Sequence, residues 1–258
     1  MIIYKTQKEI EIIAEGGKIL ADVLKQVAAL VRPGVGTQEL NELAEELIYK
    51  ANGVPSFKFY QTSDDAMPFP TTLCASINEE VVHAPALPNR ILREGDIIGL
   101  DLGLRYKNYF TDMAVTVGAG KISAEAQKLL NVTQDALALG IEQIAEGKTL
   151  ADIARAIQNH VEKNNFSVVR ELVGHGVGLH VHEDPRVPNY LTEESKTIKL
   201  KKGMVIAIEP MVNVGNWRVK VLDDDFTFAT SDGSLSAQFE HTIAIDHNGE
   251  VRVLTAFN

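Results

Sequence analysis

Apolar positions recur at helical spacing near the start of the chain. Ile10, Ile13, Gly17, Ile19/Leu20 and Leu24 share one side, and Thr6 with Glu9 makes a capping-box pattern. A helix is therefore expected from residue 6 to about 31, where Pro33-Gly34 breaks it. A second is expected from 37 to about 51, with Leu40, Leu43, Ala44 and Leu47 on one face. A loop rich in aromatic residues fills 55–72, and strand-like runs follow at 73–77, 97–104 and 109–117.

The order then restarts. Ser123 can cap a helix reaching residue 145, Gly147 ends it, and Thr149 opens another to about 163. A strand, the run Gly174-His175-Gly176-Val177-Gly178, and apolar runs at 205–208 and 239–245 complete the second series. Gly95 precedes Asp101 by six residues, and Gly203 precedes Glu209 by six, with an apolar ladder in each interval. The expectation is one α+β domain, 1–258, built from two pseudo-symmetric helix/strand halves, about 1–120 and 121–258, around a shared antiparallel sheet.

Composition narrows the class. The 258 residues can bury a large core, and 45% apolar with 23% charged residues is ordinary for a globular chain. No apolar run reaches membrane-spanning length. Residues 1–13 include Lys5, Lys8, Glu9 and Glu11, unlike a secretory leader. Cys74 is the single cysteine, which rules out an intrachain disulfide and a thiolate zinc site. A cytoplasmic location is expected. The net charge of −10 argues against nucleic-acid binding by the surface as a whole, and Lys196, Lys199, Lys201 and Lys202 read as a solvated loop face.

Five residues change the picture: Asp101, Asp112, His175, Glu209 and Glu240 each lie in or beside a strand-like run. Burying four carboxylates without a cation is prohibitive, so a pair of divalent metal ions is expected among them. Asp101 and Asp112 are equally spaced about Tyr106-Lys107; a turn centred there would oppose them directly. Gly99 and Gly103 share the face of Asp101 and would leave it roomy, while Ile98, Leu100, Leu102 and Leu104 face a core. Glycines on both sides of His175 would let backbone approach a ligand. Carboxylates with one imidazole suit Mn, Fe, Co or Zn, and their number suits two ions.

These residues, with Val82-His83, His182-Glu183-Asp184-Pro185, Ile208-Glu209-Pro210-Met211 and the stretch 234–242, carry a resemblance running from Lys5 to the C-terminus. The chain resembles the type I methionine aminopeptidases, of the pita-bread metalloenzyme family. The resemblance implies that Asp101 chelates one metal, that His175 and Glu209 bind the other, and that Asp112 and Glu240 bridge both. It implies that a bridging hydroxide attacks the scissile carbonyl. It gives Glu209 a part in moving the proton to the leaving amine, His182 a place on the substrate amide, and His83 a contact with the leaving nitrogen or peptide backbone. His180 is read as incidental and His241 as a support to the ligands.

Cys74 matches a cysteine lining the methionine pocket in relatives, and Phe57, Tyr60, Phe69 and Phe226 are candidates for its other walls. Departures from the family pattern touch this pocket. They are an insertion at 61–67, Ala84-Pro85 after His83, Phe226 in place of Trp, Val181 in place of Phe, and a long stretch at 214–225. The spacing of Glu209 and Glu240 leaves no room for the helical insertion of type II enzymes, and residues before Lys5 carry no Cys-rich extension. The implied substrate is the N-terminal Met of peptides and nascent chains with a small second residue. The implied enzyme is a monomer with transient ribosome contact, no specific nucleic acid and no membrane. The competing readings are a proline-specific relative, an Xaa-Pro aminopeptidase or dipeptidase, and a noncatalytic pita-bread binding protein.

Overall fold

In the computed structural model, which describes residues 1–62 and 66–257, the chain opens with α1 (Gln7–Leu30) and α2 (Thr37–Lys50). Strands β1 (Val54–Pro55), β2 (Leu73–Ile77), β3 (Glu80–Val82), β4 (Ile97–Tyr106) and β5 (Tyr109–Gly118) follow. Next come α3 (Ala124–Glu142), α4 (Leu150–Lys163), β6 (Ser167–Val168), β7 (Gly174–Gly176), β8 (Glu183–Val187) and a short 3₁₀ turn at Glu194–Lys196. The chain closes with β9 (Val205–Ile208), β10 (Met211–Asn213), β11 (Val219–Val221), β12 (Phe228–Thr230), β13 (Ser236–Gln238), β14 (Glu240–Ile245) and β15 (Val251–Val253).

Local chemistry sets the helix ends. The Glu9 carboxylate accepts the Thr6 N–H at 2.7 Å while Thr6 Oγ1 accepts the Glu9 N–H at 3.4 Å, the expected box. Asp152 repeats half of this at α4, taking the Thr149 N–H at 2.8 Å. Helix α3 ends short of residue 145, because Gln143 and Ile144 donate back only three residues, to Gly140 and Ile141, and tighten the last turn.

The main sheet is wholly antiparallel in its pairings and runs β1-β4-β5-β14-β9-β7-β8, with β2 also on β4 and β15 also on β14. Helices α1 and α2 cover β4 and its neighbours, and α3 packs on α4, β9, β10 and β13. Ile98, Leu100, Leu102 and Leu104 face this helical side and join one large core with Leu20, Leu24, Leu129 and Ile157. Among the described residues no helix is long and apolar enough to cross a membrane.

Two expectations need correction. The β4–β5 turn is centred one residue later than expected, because Lys107 and Asn108 both take left-handed backbone, with φ of 47° and 69°. Tyr106 therefore pairs with Tyr109, Asp101 with Ala114 and Gly103 with Asp112, so the aspartates are diagonal neighbours. The run expected at 239–245 starts one residue later, at Glu240, in the main sheet, and Ser236–Gln238 before it forms a separate strand paired with β10. Threonines complete the β5 contact where the strands part. Thr242 Oγ1 accepts the Asp112 N–H (2.9 Å) and donates to its carbonyl (2.8 Å), and Thr116 Oγ1 does the same with Gln238 (3.0 and 2.8 Å).

Candidate active site

Register places the acids on the sheet face opposite the core. Cys74 pairs with Asp101, Asp101 with Ala114, and Ala114 with Glu240, giving one row across four strands. Paired residues share a face, so Asp101 and Glu240 point the same way, separated only by the methyl of Ala114. Asp112 stands two residues from Ala114 on that face. The β14–β9 register, His241 to Ile208, carried one residue further brings Glu209 opposite Glu240. Strand β7 pairs with β9 through Gly176 and Ile206, which brings His175 beside Glu209. His175 Nε2 lies 3.6 Å from Glu209 Oε1 and 3.9 Å from Asp112 Oδ2. Donor atoms of Asp112, His175 and Glu240 all lie within 4.8 Å of one another.

Gly103, Gly174 and Gly176 serve packing rather than openness, whereas at Gly99 a Cβ would meet only ordinary contacts at 3.7 Å. A Cβ on Gly103 would collide with the Ser56 hydroxyl and the Phe57 ring. One on Gly174 would strike the Ala207 carbonyl, and one on Gly176 the Asp184 carbonyl. Absent side chains thus bring the Phe57 segment and β8 and β9 against the site, which corrects the roomy face at Gly103 and the ligand approach expected around His175, while the face stays open at Gly99.

Electrostatics mark the cluster as unbalanced. Burial raises Asp101 to about 7. It also drives Asp112, Glu209 and Glu240 well above the ordinary carboxylate range, with the neighbouring acids adding to the rise. Burial lowers His175 to about 3. Asp101 Oδ1, Asp112 Oδ1 and Glu240 Oε1 are buried with no hydrogen-bond partner among the described residues. Orphaned buried acceptors beside an imidazole fit divalent cations, whose charge would answer both the repulsion and the missing donors.

Two loops bring histidines to the same cavity. His83 follows β3 with φ of +61°, sparsely populated for a residue with a Cβ. Arg90 holds this loop: Nη2 donates to Ala75 and Pro85 carbonyls (2.7 and 2.9 Å), and Nη1 to the Glu80 carboxylate (2.5 and 2.6 Å). His182 lies in the β7–β8 connection, its ring 4.6 Å from that of His175, and its Nδ1 is 3.0 Å from the Tyr60 hydroxyl.

The cavity, about 310 Å³, is lined by the acids, His175, His83 and His182 together with Phe57, Tyr60, Phe69, Cys74 and Phe226. Phe57, Phe69, Cys74 and Val181 form an apolar cluster of their own, with Tyr60 and Phe226 packed on it. All the residues singled out from sequence for the site line this one space. The insertion read at 61–67 includes residues 63–65, which lie outside the described residues. His241 turns away from the cavity and shares Thr255 Oγ1 with the Thr242 N–H. His180 is exposed outside the cavity lining.

Sequence reasoning missed three residues. Phe228 lines the cavity and meets the His83 ring edge-on at 5.7 Å. Gln238 donates to Glu209 Oε2 at 3.3 Å, although its alternation with Glu240 was visible. Asn189 is fully buried and donates to the Glu209 carbonyl at 3.0 Å, with no signal in the pattern.

Comparison with known proteins identifies the family. The model of Metallopeptidase family M24 matches residues 11–247. The methionine aminopeptidase of Clostridium perfringens (strain 13 / Type A) is 46% identical over 250 residues, covering 96% of this chain and 97% of the relative. The crystal structure of methionine aminopeptidase from Thermotoga maritima matches with a TM-score of 0.92 at 41% identity, over 99% of each chain. The prolidase of Pyrococcus horikoshii OT3 shares the fold, with a TM-score of 0.74 at 23% identity; all of this chain matches 65% of that one.

Proposed function

The chain belongs to metallopeptidase family M24, among the methionine aminopeptidases, and from that premise we propose that it removes N-terminal methionine from peptides and nascent chains whose second residue is small. One observation carries the reading: an aromatic wall suited to a thioether side chain meets a floor of buried acids and imidazole in a single cavity. We read 1–258 as one catalytic domain whose halves, about 1–120 and 121–258, meet where β5 joins β14.

Two divalent ions, of cobalt, manganese, iron or zinc, would supply a nucleophile from water at neutral pH and polarise the scissile carbonyl when bound. Asp101 would hold one ion, His175 and Glu209 the other, and Asp112 and Glu240 both. The Glu209 carboxylate, oriented by the Gln238 amide, takes the proton that the attacking water gives up and passes it to the leaving nitrogen. A Tyr60 hydroxyl donating to Nδ1 of His182, 3.0 Å away, would leave the imidazole proton on Nε2, where it would meet the peptide carbonyl oxygen. His83 engages the leaving nitrogen. Phe57, Tyr60, Phe69, Cys74 and Phe226, with Phe228, enclose the methionine side chain and exclude water from the reacting bond.

The setting that suits this reading is a cytoplasmic monomer that meets emerging chains at the ribosome transiently. Hydrolysis of Met-Ala-Ser against Ala-Pro-Ala, with Mn, Fe and Co supplied separately, tests the assignment. Cleavage of Met-Ala-Ser alone is expected. Cleavage of the proline substrate alone would transfer the chain to the Xaa-Pro enzymes, and no turnover with any metal would favour a binding protein.

A further inference from the structure

One buried ion pair takes no part in the proposed chemistry yet abuts it. Lys5 Nζ meets Glu183 Oε2, and both side chains are 1% exposed. The partners are separated by most of the chain. Glu183 follows His182 directly and opens β8. Its other oxygen, Oε1, accepts the N–H groups of Leu179 (2.5 Å) and His180 (2.9 Å). One carboxylate therefore spans the whole turn that presents His182. The turn is tight: the Gly178 N–H reaches the His180 carbonyl at 3.2 Å, and the Gly178 carbonyl accepts from Phe110 at 2.8 Å.

Lys5 is fixed from several directions. Its N–H donates to the Gly203 carbonyl at 2.7 Å, its own carbonyl accepts from His247 Nε2 at 2.9 Å, and Nζ also donates to the Ile3 carbonyl at 3.2 Å. Gly178 lies against its stem, where a Cβ would crowd Cε. Burial pulls the ammonium below its usual range, and the Glu183 carboxylate pulls it back. Tyr60 and His175 meet the His182 ring, but the backbone turn that carries the ring is held by Glu183. A carboxylate buried at this turn without a cation would be strongly unfavourable, and the turn would have to open to hydrate it.

We infer that the Lys5–Glu183 pair is the positioning device for His182, with Glu183 shaping the turn and Lys5 allowing that carboxylate to stay buried and charged. The inference rests on the proposed aminopeptidase reading and on the part given there to His182.

A double-mutant cycle tests action through the histidine, using steady-state hydrolysis of Met-Ala-Ser, with metal content measured on each protein. Lys5→Met should lower kcat by ~10–100-fold, the range typical of groups that orient a site, with KM within about threefold and full metal content. Lys5→Arg should restore most of the loss. In a His182→Ala background, Lys5→Met should lower kcat by less than about twofold, because its route of action is gone. An equal loss in both backgrounds, or no loss in the first, overturns the inference. If Lys5→Met fails to fold, Lys5→Met/Glu183→Gln removes both charges and enters the same cycle with the same criteria. The two readings fail differently. A wild-type protein that does not cleave Met-Ala-Ser removes the functional reading and the inference with it. An active wild type, impaired by His182→Ala but additive in the cycle, removes the inference alone.

Discussion

The acids and the two loop histidines reach one cavity by different means. Asp101, Asp112 and Glu240 stand on central strands, where ladder register fixes their spacing and Thr242 and Thr116 bridge the places where strands part. His83 and His182 stand on connections beside ion pairs: Arg90 with Glu80, which flank His83, for one, and Lys5 with Glu183, which brings the start of the chain to the turn, for the other. Charges that repel each other need the stiffest support available, since any slack would let them separate and hydrate. Groups that must meet a substrate and release a product suit loops, provided something pins the loop. On the proposed reading, the same division separates binding an ion from using it.

The division can be broken hardest at the sheet. Asp112→Ala or Glu240→Ala should abolish tight metal binding and lower turnover by at least about 10³-fold, since both are assigned to both ions. Full occupancy by elemental analysis in either variant would show that the bridging assignment is wrong. His182→Ala should lower kcat by ~10²–10³-fold while the metals stay bound, the scale of losing one donor to a developing oxyanion. Metal loss in that variant would mean that loop and sheet are not separable.

A pH experiment on metal-stripped protein isolates the sheet's burden. The folded state keeps protons on Asp101, up to about 7, and on Asp112, Glu209 and Glu240, all raised, that the unfolded chain releases near pH 4. His175, lowered to about 3, acts oppositely below about pH 6.5, as one group against four. Where the unfolded state binds fewer protons, stability falls as pH rises. Calorimetry should therefore show Tm falling between about pH 5 and pH 8 without metal, and Mn added at the upper end should restore it. A flat profile would mean that the acids are better solvated than their burial indicates.

This contrast also governs what could be read from the sequence. The strand acids were legible because an apolar ladder fixes which face each residue takes, so Asp101, Asp112 and Glu240 could be grouped without coordinates. Their opposition was misjudged by one residue because Lys107 and Asn108 form a turn with two left-handed positions, and only the asparagine advertises it. His83 and His182 were legible only through resemblance, since periodicity carries no information about a loop. Phe228 went unnoticed for a related reason. It reaches His83 only because β12 pairs with β3, Phe228 opposite Val82, across a long stretch of chain. Lys5 carried no signal because its carboxylate partner, Glu183, is distant in sequence, and Arg90 carried none because its partners, Glu80, Ala75 and Pro85, lie nearby at separations that periodicity does not describe.

Gln238 lies between the two regimes. It ends β13, just before the chain crosses into the main sheet, and its amide reaches the Glu209 carboxylate. Gln238→Ala should retain the metals yet lower kcat by ~10–100-fold, the usual cost of losing a partner that orients a ligand. Metal content equal to wild type, with a kcat loss and little change in KM, would place Glu209 in proton transfer as well as in ligation. Parallel loss of metal and activity would reduce Glu209 to a ligand.

The smallest expected effect on chemistry comes from the glycine opposite Asp112. Gly103→Ala leaves every acid and histidine in place but adds a methyl where Ser56 and Phe57 pack against β4. Overpacking of this kind destabilises by about 1–3 kcal/mol, and here the strain can be relieved by displacing the Phe57 segment, because β4 is held on both edges. The aromatic wall should move while the metal floor stays. The variant should then show a lowered Tm, normal metal content, a kcat within about threefold of wild type and a KM for Met-Ala-Ser raised ~3–10-fold, consistent with loss of ~1 kcal/mol of uniform binding. A normal KM with reduced metal content would reverse the conclusion: the strain would have travelled along β4 to Asp101, and the floor would be the softer of the two surfaces.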